Sequence, residues 1–328
     1  MCFATTPAPH RHPESPRQQG LNNMANAYTS WIIDAPVDQV WALVRDFNGL
    51  PNWNPGIVES VIEENVSSDV VGAVRSLKLA NGASGRERLL ALDDRRYQVM
   101  YNFELAPLPL DNYVGRIELK PLTDGTRTLA IWHSTYDERP DNQMSFQSVL
   151  ESDVFAGGFR SMATKLAEEP TTGETNHCRQ PSPGKVYVAE IIDAPLADVW
   201  PVLRALAGIG PWYADLQGTI QLTARPGQVG GQRKLGMDGD LVTETLTGLS
   251  DHDHRVCYSV RHDIATSLNY DATVELHPVT MNNTTLVTWT LDWPNADAPP
   301  DVVTHRAALK KAFALLKVQV GATNEPLS

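Results

Sequence analysis

Two arginine–glutamate sets stand out among the residues able to do chemistry: Arg75 with Glu87, and Arg233 with Glu244. Each lies in a stretch that alternates apolar and polar residues, the pattern of a half-buried strand. Arg75 is in phase with Leu77 and Leu79, against Ser76 and Lys78, and Arg233 is in phase with Leu235 and Met237. Glu87 is in phase with Leu89 and Ala91, and Glu244 with Val242 and Leu246. Successive strand side chains point to opposite faces, so all four charges belong to the apolar faces. The same test places Tyr101, Tyr113 and Trp132 there, and likewise Tyr258, Tyr270 and Trp289.

Burial raises a glutamate pKa and a neighbouring arginine lowers it, a balance that suits proton exchange near neutral pH. The arginine suits a developing enolate or other oxyanion. Tyr101 and Tyr113 would orient polar groups of a substrate, and Trp53 and Trp132 would pack its apolar body. Tyr258, Tyr270, Trp212 and Trp289 occupy the same positions in the second set. Isomerisation, aldol-type cyclisation, dehydration and aromatisation are within reach of such groups, with Glu87, Arg75, Glu244 and Arg233 catalytic and no cofactor or metal. Two plainer readings stand beside this one. The pairs could be structural ion pairs that fix strand register, or they could recognise the polar end of a ligand in a carrier or sensor.

The sets recur because the chain is duplicated. "IIDAP" occurs at Ile32–Pro36 and Ile191–Pro195, and at the same offset Trp41 meets Trp200, Arg45 meets Arg204 and Trp53 meets Trp212. The offset then shortens by one residue, twice. At its final value Glu87 meets Glu244, Tyr101 meets Tyr258, Asn112-Tyr113 meets Asn269-Tyr270 and Trp132 meets Trp289. Single-residue changes of offset belong in loops, so two whole domains are repeated. A chain of 328 residues is long enough for both. Residues 24–170 form the first domain and 185–322 the second. The polar stretch 171–184 reads as a linker, the Pro-rich residues 1–23 as a disordered tail with Met24 an alternative start, and 323–328 as a second tail.

Each copy opens with a strand, turns through Asp-Ala-Pro into a helix that Asp34 or Asp193 is expected to cap, and continues through several strands. A long amphipathic helix closes it, with stripe Phe155, Phe159, Met162 and Leu166 in the first copy. In the second the stripe is Val302, Leu309, Phe313, Leu316 and Val320, with Arg306 at one stripe position. A sheet with one apolar face and one such helix bury each other best when the sheet curls around the helix, enclosing a cavity.

"VGAVRSL", "GRERLLALDD", "NYVGRIELKP" and "LAIWHSTY" resemble the START/Bet v 1-like superfamily, which includes the polyketide cyclase families. The order of motifs is most similar to the branch of abscisic acid receptors and lachrymatory factor synthases, and the tandem arrangement to di-domain aromatase/cyclases. The resemblance covers both domains. It implies an α+β helix-grip fold in each: a seven-stranded antiparallel sheet around a C-terminal helix, with a deep cavity for a small hydrophobic ligand. In the synthases an Arg and a Glu of these motifs serve the reaction, and they match Arg75 and Glu87, and Arg233 and Glu244. In the receptors the Glu helps hold a ligand through water. The segment "KLANGASG" stands where the receptors carry a gate loop but lacks the gate's usual Pro.

Net charge is −12, which repels nucleic-acid phosphates and anionic lipid. No apolar run approaches membrane-spanning length. Cys2, Cys178 and Cys257 suggest no disulfide framework, which points to the cytosol. The cluster "DHDHR" at Asp251–Arg255 falls on a turn and reads as solvent-facing rather than metal-binding. His133 is out of phase with Trp132 and is expected to face outward. "FAGGFR" lies in the closing helix, not after a strand, and is no phosphate loop. Domain 1 keeps the tighter motifs and is the better candidate for the active copy. Oligomeric state is not legible.

Overall fold

The structure is a computed structural model that describes residues 24–139, 141–142, 144–168, 185–204, 221–222, 227–237, 240–263, 269–293 and 302–323. Domain 1 comprises β1 (Met24–Ile33), α1 (Val37–Arg45), β2 (Ile57–Ile62), β3 (Val74–Leu79), β4 (Ser84–Asp93), β5 (Gln98–Leu105), β6 (Leu110–Pro121), β7 (Thr128–Glu138) and α2 (Ala156–Glu168). Domain 2 repeats the order. It has β8 (Lys185–Ile192), α3 (Leu196–Arg204), β9 (Gln221–Leu222), β10 (Gln232–Met237), β11 (Asp240–Ser250), β12 (Arg255–His262), β13 (Tyr270–Val279), β14 (Thr284–Asp292) and α4 (Val302–Thr323). Both sheets have seven antiparallel strands, ordered β1-β7-β6-β5-β4-β3-β2 and β8-β14-β13-β12-β11-β10-β9. Each wraps its closing helix, so the chain is two tandem helix-grip α+β domains.

The expected helix stripes are what the sheets bury. Phe155, Phe159, Met162 and Leu166 lie in one core, and Leu309, Phe313, Leu316 and Val320 in the other. Arg306 is exposed. Domain 1 adds a feature the periodicity did not show: a π-helical turn, Val149–Phe155, leads into α2. A correction concerns helix entry. Pro36, not Asp34, is the N-cap of α1, and no side-chain cap bond forms there. Proline suits the helix start because its φ is already set near the helical value, and its carbonyl takes the amides of Gln39 and Val40. α3 likewise starts after Pro195, beyond Asp193, with Asp198 and Val199 bonding the Pro195 carbonyl. The segment matched to a gate loop is a short hairpin between β3 and β4, closed by Leu79 and Ala83 with Gly82 at φ 87°.

α1 and α3 are each fixed by the same clamp. Trp41 Nε1 and Arg45 Nε both donate to Asp94 Oδ1, at 2.9 and 2.8 Å. Trp200 Nε1 and Arg204 Nε donate to Asp251 Oδ1, at 2.9 and 2.6 Å. Asp251 is thus engaged by a clamp at the turn before β12, and its carboxyl is held down at about 2, first by its bond from Arg204.

The domains meet about a pseudo-two-fold axis. Tyr28 Oη donates to the Pro278 carbonyl at 3.3 Å, and its repeat counterpart Tyr187 donates to the Pro121 carbonyl at 3.1 Å. Ser30 N donates to Thr280 Oγ1 and Ala189 N to Thr123 Oγ1. Leu122, Leu129, Ile131, Ala189, Val279 and Leu286 are buried between them. A self-complementary patch is what a two-fold interface requires, and here two copies in one chain supply it. The contact also covers the free edges of β1 and β8, whose amides would otherwise be open to pairing.

Candidate functional site

Register brings the charges together. Arg75 lies directly across from Glu87 on β3 and β4, and Arg233 directly across from Glu244 on β10 and β11. Arg75 and Glu87 are both 5 % exposed. Arg75 Nε donates to Glu87 Oε2 at 2.7 Å and Nη2 closes on the same oxygen. In domain 2, Nε and Nη2 of Arg233 both engage Glu244 Oε2. In each copy the guanidinium therefore grips one carboxylate oxygen, and Oε1 stays outside the ion pair. Burial raises the pKa of Glu87 and of Glu244, and the facing arginine offsets part of that rise.

Arg75 is further committed. Its Nη1 donates to the Phe47 carbonyl, and its guanidinium carbon sits 3.9 Å from the centre of the Phe47 ring. The turn after α1 is thereby held over the β3–β4 end of the interior.

The aromatic residues fall on the expected face. Trp132 Nε1 donates to Tyr101 Oη at 2.9 Å, and Tyr101 and Tyr113 share a hydrogen bond at 3.3 Å. Trp289 Nε1 donates to Tyr258 Oη at 3.0 Å, repeating the first bond. Burial pushes the Tyr101 and Tyr113 hydroxyls well above the ordinary phenol value, with the nearby Glu87 charge adding to both. Both are hydrogen-bond donors at neutral pH. Trp53 packs 5.8 Å from Trp132, ring to ring, and Gly158 of α2 lets both approach: a Cβ there would lie 3.2–3.3 Å from each. Tyr270 is half-buried, against Trp293 and His305. Trp212 lies outside the described residues. His133 faces outward against Tyr28, as its phase requires.

Sheet register also shows residues that pairwise matching missed. Across the concave face of domain 1 runs one inward row: Arg75, Glu87, Phe103, Tyr113 and Tyr136. Phe103 lies across from Glu87, and its ring stacks on Tyr113 at 4.0 Å. Tyr136 lies next to Tyr113, with ring centres 6.3 Å apart. The domain 2 row is Arg233, Glu244, Val260, Tyr270 and Trp293, with Val260 across from both Glu244 and Tyr270. Alternation could have found Tyr136, which is in phase with Trp132. Phe47 could not be found that way, because it lies in no strand.

The family described as "Polyketide cyclase / dehydrase and lipid transport" matches residues 24–168 and again residues 183–317. The chain belongs to that family. Its two domains are therefore of a kind that holds hydrophobic small molecules. Among solved structures, this family member is similar to the protein XoxI from Bacillus cereus, at 26 % identity and a TM-score of 0.40, covering 45 % of this chain and 99 % of that one. It is similar to a Thermobifida fusca protein at 26 % identity and a TM-score of 0.39, covering 44 % and 93 %. It is also similar to norcoclaurine synthase from Thalictrum flavum, at 16 % identity and a TM-score of 0.37, covering 48 % and 99 %. No helix among the described residues is long and apolar enough to cross a membrane.

Proposed function

We propose that the protein is an acid–base enzyme that isomerises, cyclises or dehydrates a small hydrophobic substrate held inside the helix-grip domains. The observation that carries this reading is the one-oxygen grip on Glu87 and Glu244. A buried carboxylate with an oxygen outside its ion pair can still take a proton. Glu87 would remove one from a carbon next to a carbonyl, the Tyr101–Tyr113 pair would donate to the resulting enolate oxygen, and protonated Glu87 would return the proton at another atom. Nothing is consumed, so no cofactor is needed for this cycle. General acid–base groups supply roughly 10²–10⁴-fold in rate, and orientation by the walls must supply the rest. Domain 1 would carry the chemistry, since it keeps the tighter motifs.

A second reading, a carrier or sensor without chemistry, is favoured by the commitment of Arg75 to Glu87 and to Phe47. An arginine so engaged has little left for an oxyanion.

A panel of aromatic polyketides, phenolics and sulfenic-acid precursors separates them. Native mass spectrometry and product chromatography would be run on wild type, Glu87→Gln and Glu244→Gln. Conversion by wild type with simple retention by Glu87→Gln supports the enzyme with domain 1 active. Equal losses in the two variants would remove the division of labour. A ligand held unchanged by all three would make the protein a carrier.

A further inference from the structure

Buried hydrogen-bonding groups nearly always find partners, and an exception in a folded interior asks for a reason. Tyr136, at the end of the domain 1 row, is 1 % exposed, yet its Oη has no hydrogen-bond partner among the described residues. Its repeat counterpart at the end of the domain 2 row is Trp293. That residue is 3 % exposed, and its Nε1 likewise has none. The side-chain type differs while the position and the unspent donor are the same. Burial pushes the Tyr136 hydroxyl up to about 12, so it is a donor at neutral pH, as an indole N–H always is. The other polar groups of the row are engaged: Arg75 with Glu87, and Tyr113 with Tyr101.

The surroundings describe what would accept the bond. Tyr136 faces the Tyr113 ring, which stacks on Phe103. Trp293 has Tyr270 at 5.1 Å and His305 at 4.8 Å between ring centres. These are aromatic faces, suited to a flat ring system. Three strand steps separate Glu87 from Tyr136, about 14 Å at ~4.8 Å per step before the side chains reach inward. An oxygen at Tyr136 is therefore not the oxygen beside Glu87.

We propose that each interior anchors its ligand through an uncharged oxygen acceptor on an aromatic ring system, a ketone or ester carbonyl, which takes the Tyr136 O–H in domain 1 and the Trp293 N–H in domain 2. This rests on the reading of the interiors as hydrophobic-ligand cups. It adds that the anchoring oxygen lies at least one ring system away from the Arg–Glu pair.

The test uses the full chain and two probes of matched shape, 2-acetylnaphthalene and 2-ethylnaphthalene, titrated by calorimetry. Wild type is expected to prefer the ketone by on the order of tenfold, the weight of one buried hydrogen bond. The double variant Tyr136→Phe/Trp293→Phe should lose that preference and keep its affinity for the hydrocarbon, and the single variants should apportion it between domains. A preference that survives in the double variant overturns the proposal. Equal binding of both probes by wild type overturns it while leaving the ligand-cup reading intact, whereas binding of neither removes both. A ligand-free measurement stands beside this. With an unspent hydroxyl removed from an apolar setting, Tyr136→Phe should melt no lower than wild type, and a clear drop would show the hydroxyl to be bonded within the protein, overturning its availability.

Discussion

In domain 1 the Arg75 guanidinium lies against the Phe47 ring, and Phe103 stacks beside Tyr113 in the same inward row. In domain 2 the sequence counterpart of Phe47 is Leu206 and that of Phe103 is Val260. The glycines that let rings approach in domain 1, Gly115 and Gly158, correspond to Ala272 and Ala312. α2 is entered through a π-helical turn whose Glu151 accepts the Tyr28 amide, and the matching position of α4 is His305, which packs on Trp293. Against this, the Arg–Glu pair, the Trp-to-Tyr bond and the Trp–Arg–Asp clamp are the same in both copies. The difference has a physical logic. Apolar volume can be redistributed among neighbours at modest cost, whereas a buried charge or donor that loses its partner cannot be accommodated by shifting atoms.

The largest way to test that logic is to break the pairs. Arg75→Met should destabilise domain 1 by about 3–5 kcal/mol, because it leaves Glu87 buried and alone. Arg233→Met should cost less, since the Glu244 side chain is 14 % exposed against 6 % for Glu87. Hydrogen exchange of each domain's amides would read both, and equal losses would show the two sites to be equally closed.

The next test moves a volume difference from one copy to the other. A Cβ at Gly115 would lie 2.5 Å from the Tyr101 ring. Gly115→Ala should therefore push Tyr101 off the Trp132 N–H and cost about 1–3 kcal/mol by denaturant melting. Ala272→Gly, the reciprocal change, should cost about 0.5–1 kcal/mol, the backbone-entropy penalty of glycine, plus little for the lost methyl. Similar effects would show that Tyr101 and Tyr258 are seated alike.

A smaller and symmetric effect is expected at the clamps. Trp41→Phe and Trp200→Phe each lose one hydrogen bond to a solvent-accessible aspartate, about 0.5–1.5 kcal/mol. A large inequality between them would mean that one clamp bears more of its domain than the shared geometry suggests.

A last effect, read by pH, concerns the seam between the copies. His277 sits on β13 with its Nε2 buried and without a hydrogen-bond partner among the described residues. Burial first, then the Lys120 charge, holds its pKa down at about 4, with Glu118 opposing and Arg116 adding. A folded pKa below the unfolded one means that the unfolded chain binds the proton first. Stability from a neutral His277 is therefore present above about pH 6.5 and is lost as pH falls toward 4. Lys120 stands at the matching position of domain 1 and Glu118 on its own strand, so the comparison must be made with both unchanged. Thermal melts of wild type and His277→Gln between pH 4 and 7 should converge on acidification, and parallel curves would remove His277 from the seam's pH response.

Much of this is legible in the sequence. Alternation oriented Arg75, Glu87, Tyr101, Tyr113 and Trp132 correctly because a strand offers each residue only two faces. Duplication then checked each assignment against a second copy. The Asp34 cap failed for a local reason: an acidic residue before Pro looks like a cap, but Pro36 already occupies the start of the helix. Phe47 escaped because it lies in no strand. Tyr136 and Trp293 share the phase of Trp132 and Trp289, so alternation gives their face. What they meet across the sheet depends on register, which is not written in any one strand.

The sequence by itself determined the two domains, the inward faces of their strands, the apolar stripes of their helices and the pairing of each arginine with its glutamate, because periodicity and the cost of buried charge act locally. Only the tertiary structure decided which carboxylate oxygen each arginine takes, that the Phe47 backbone claims another of the Arg75 donors, that Tyr136 and Trp293 keep theirs, and that each domain covers the other's open edge. Those outcomes depend on where the sheet's curvature and the domain seam bring distant groups within hydrogen-bond reach, and a one-dimensional pattern holds no such distances.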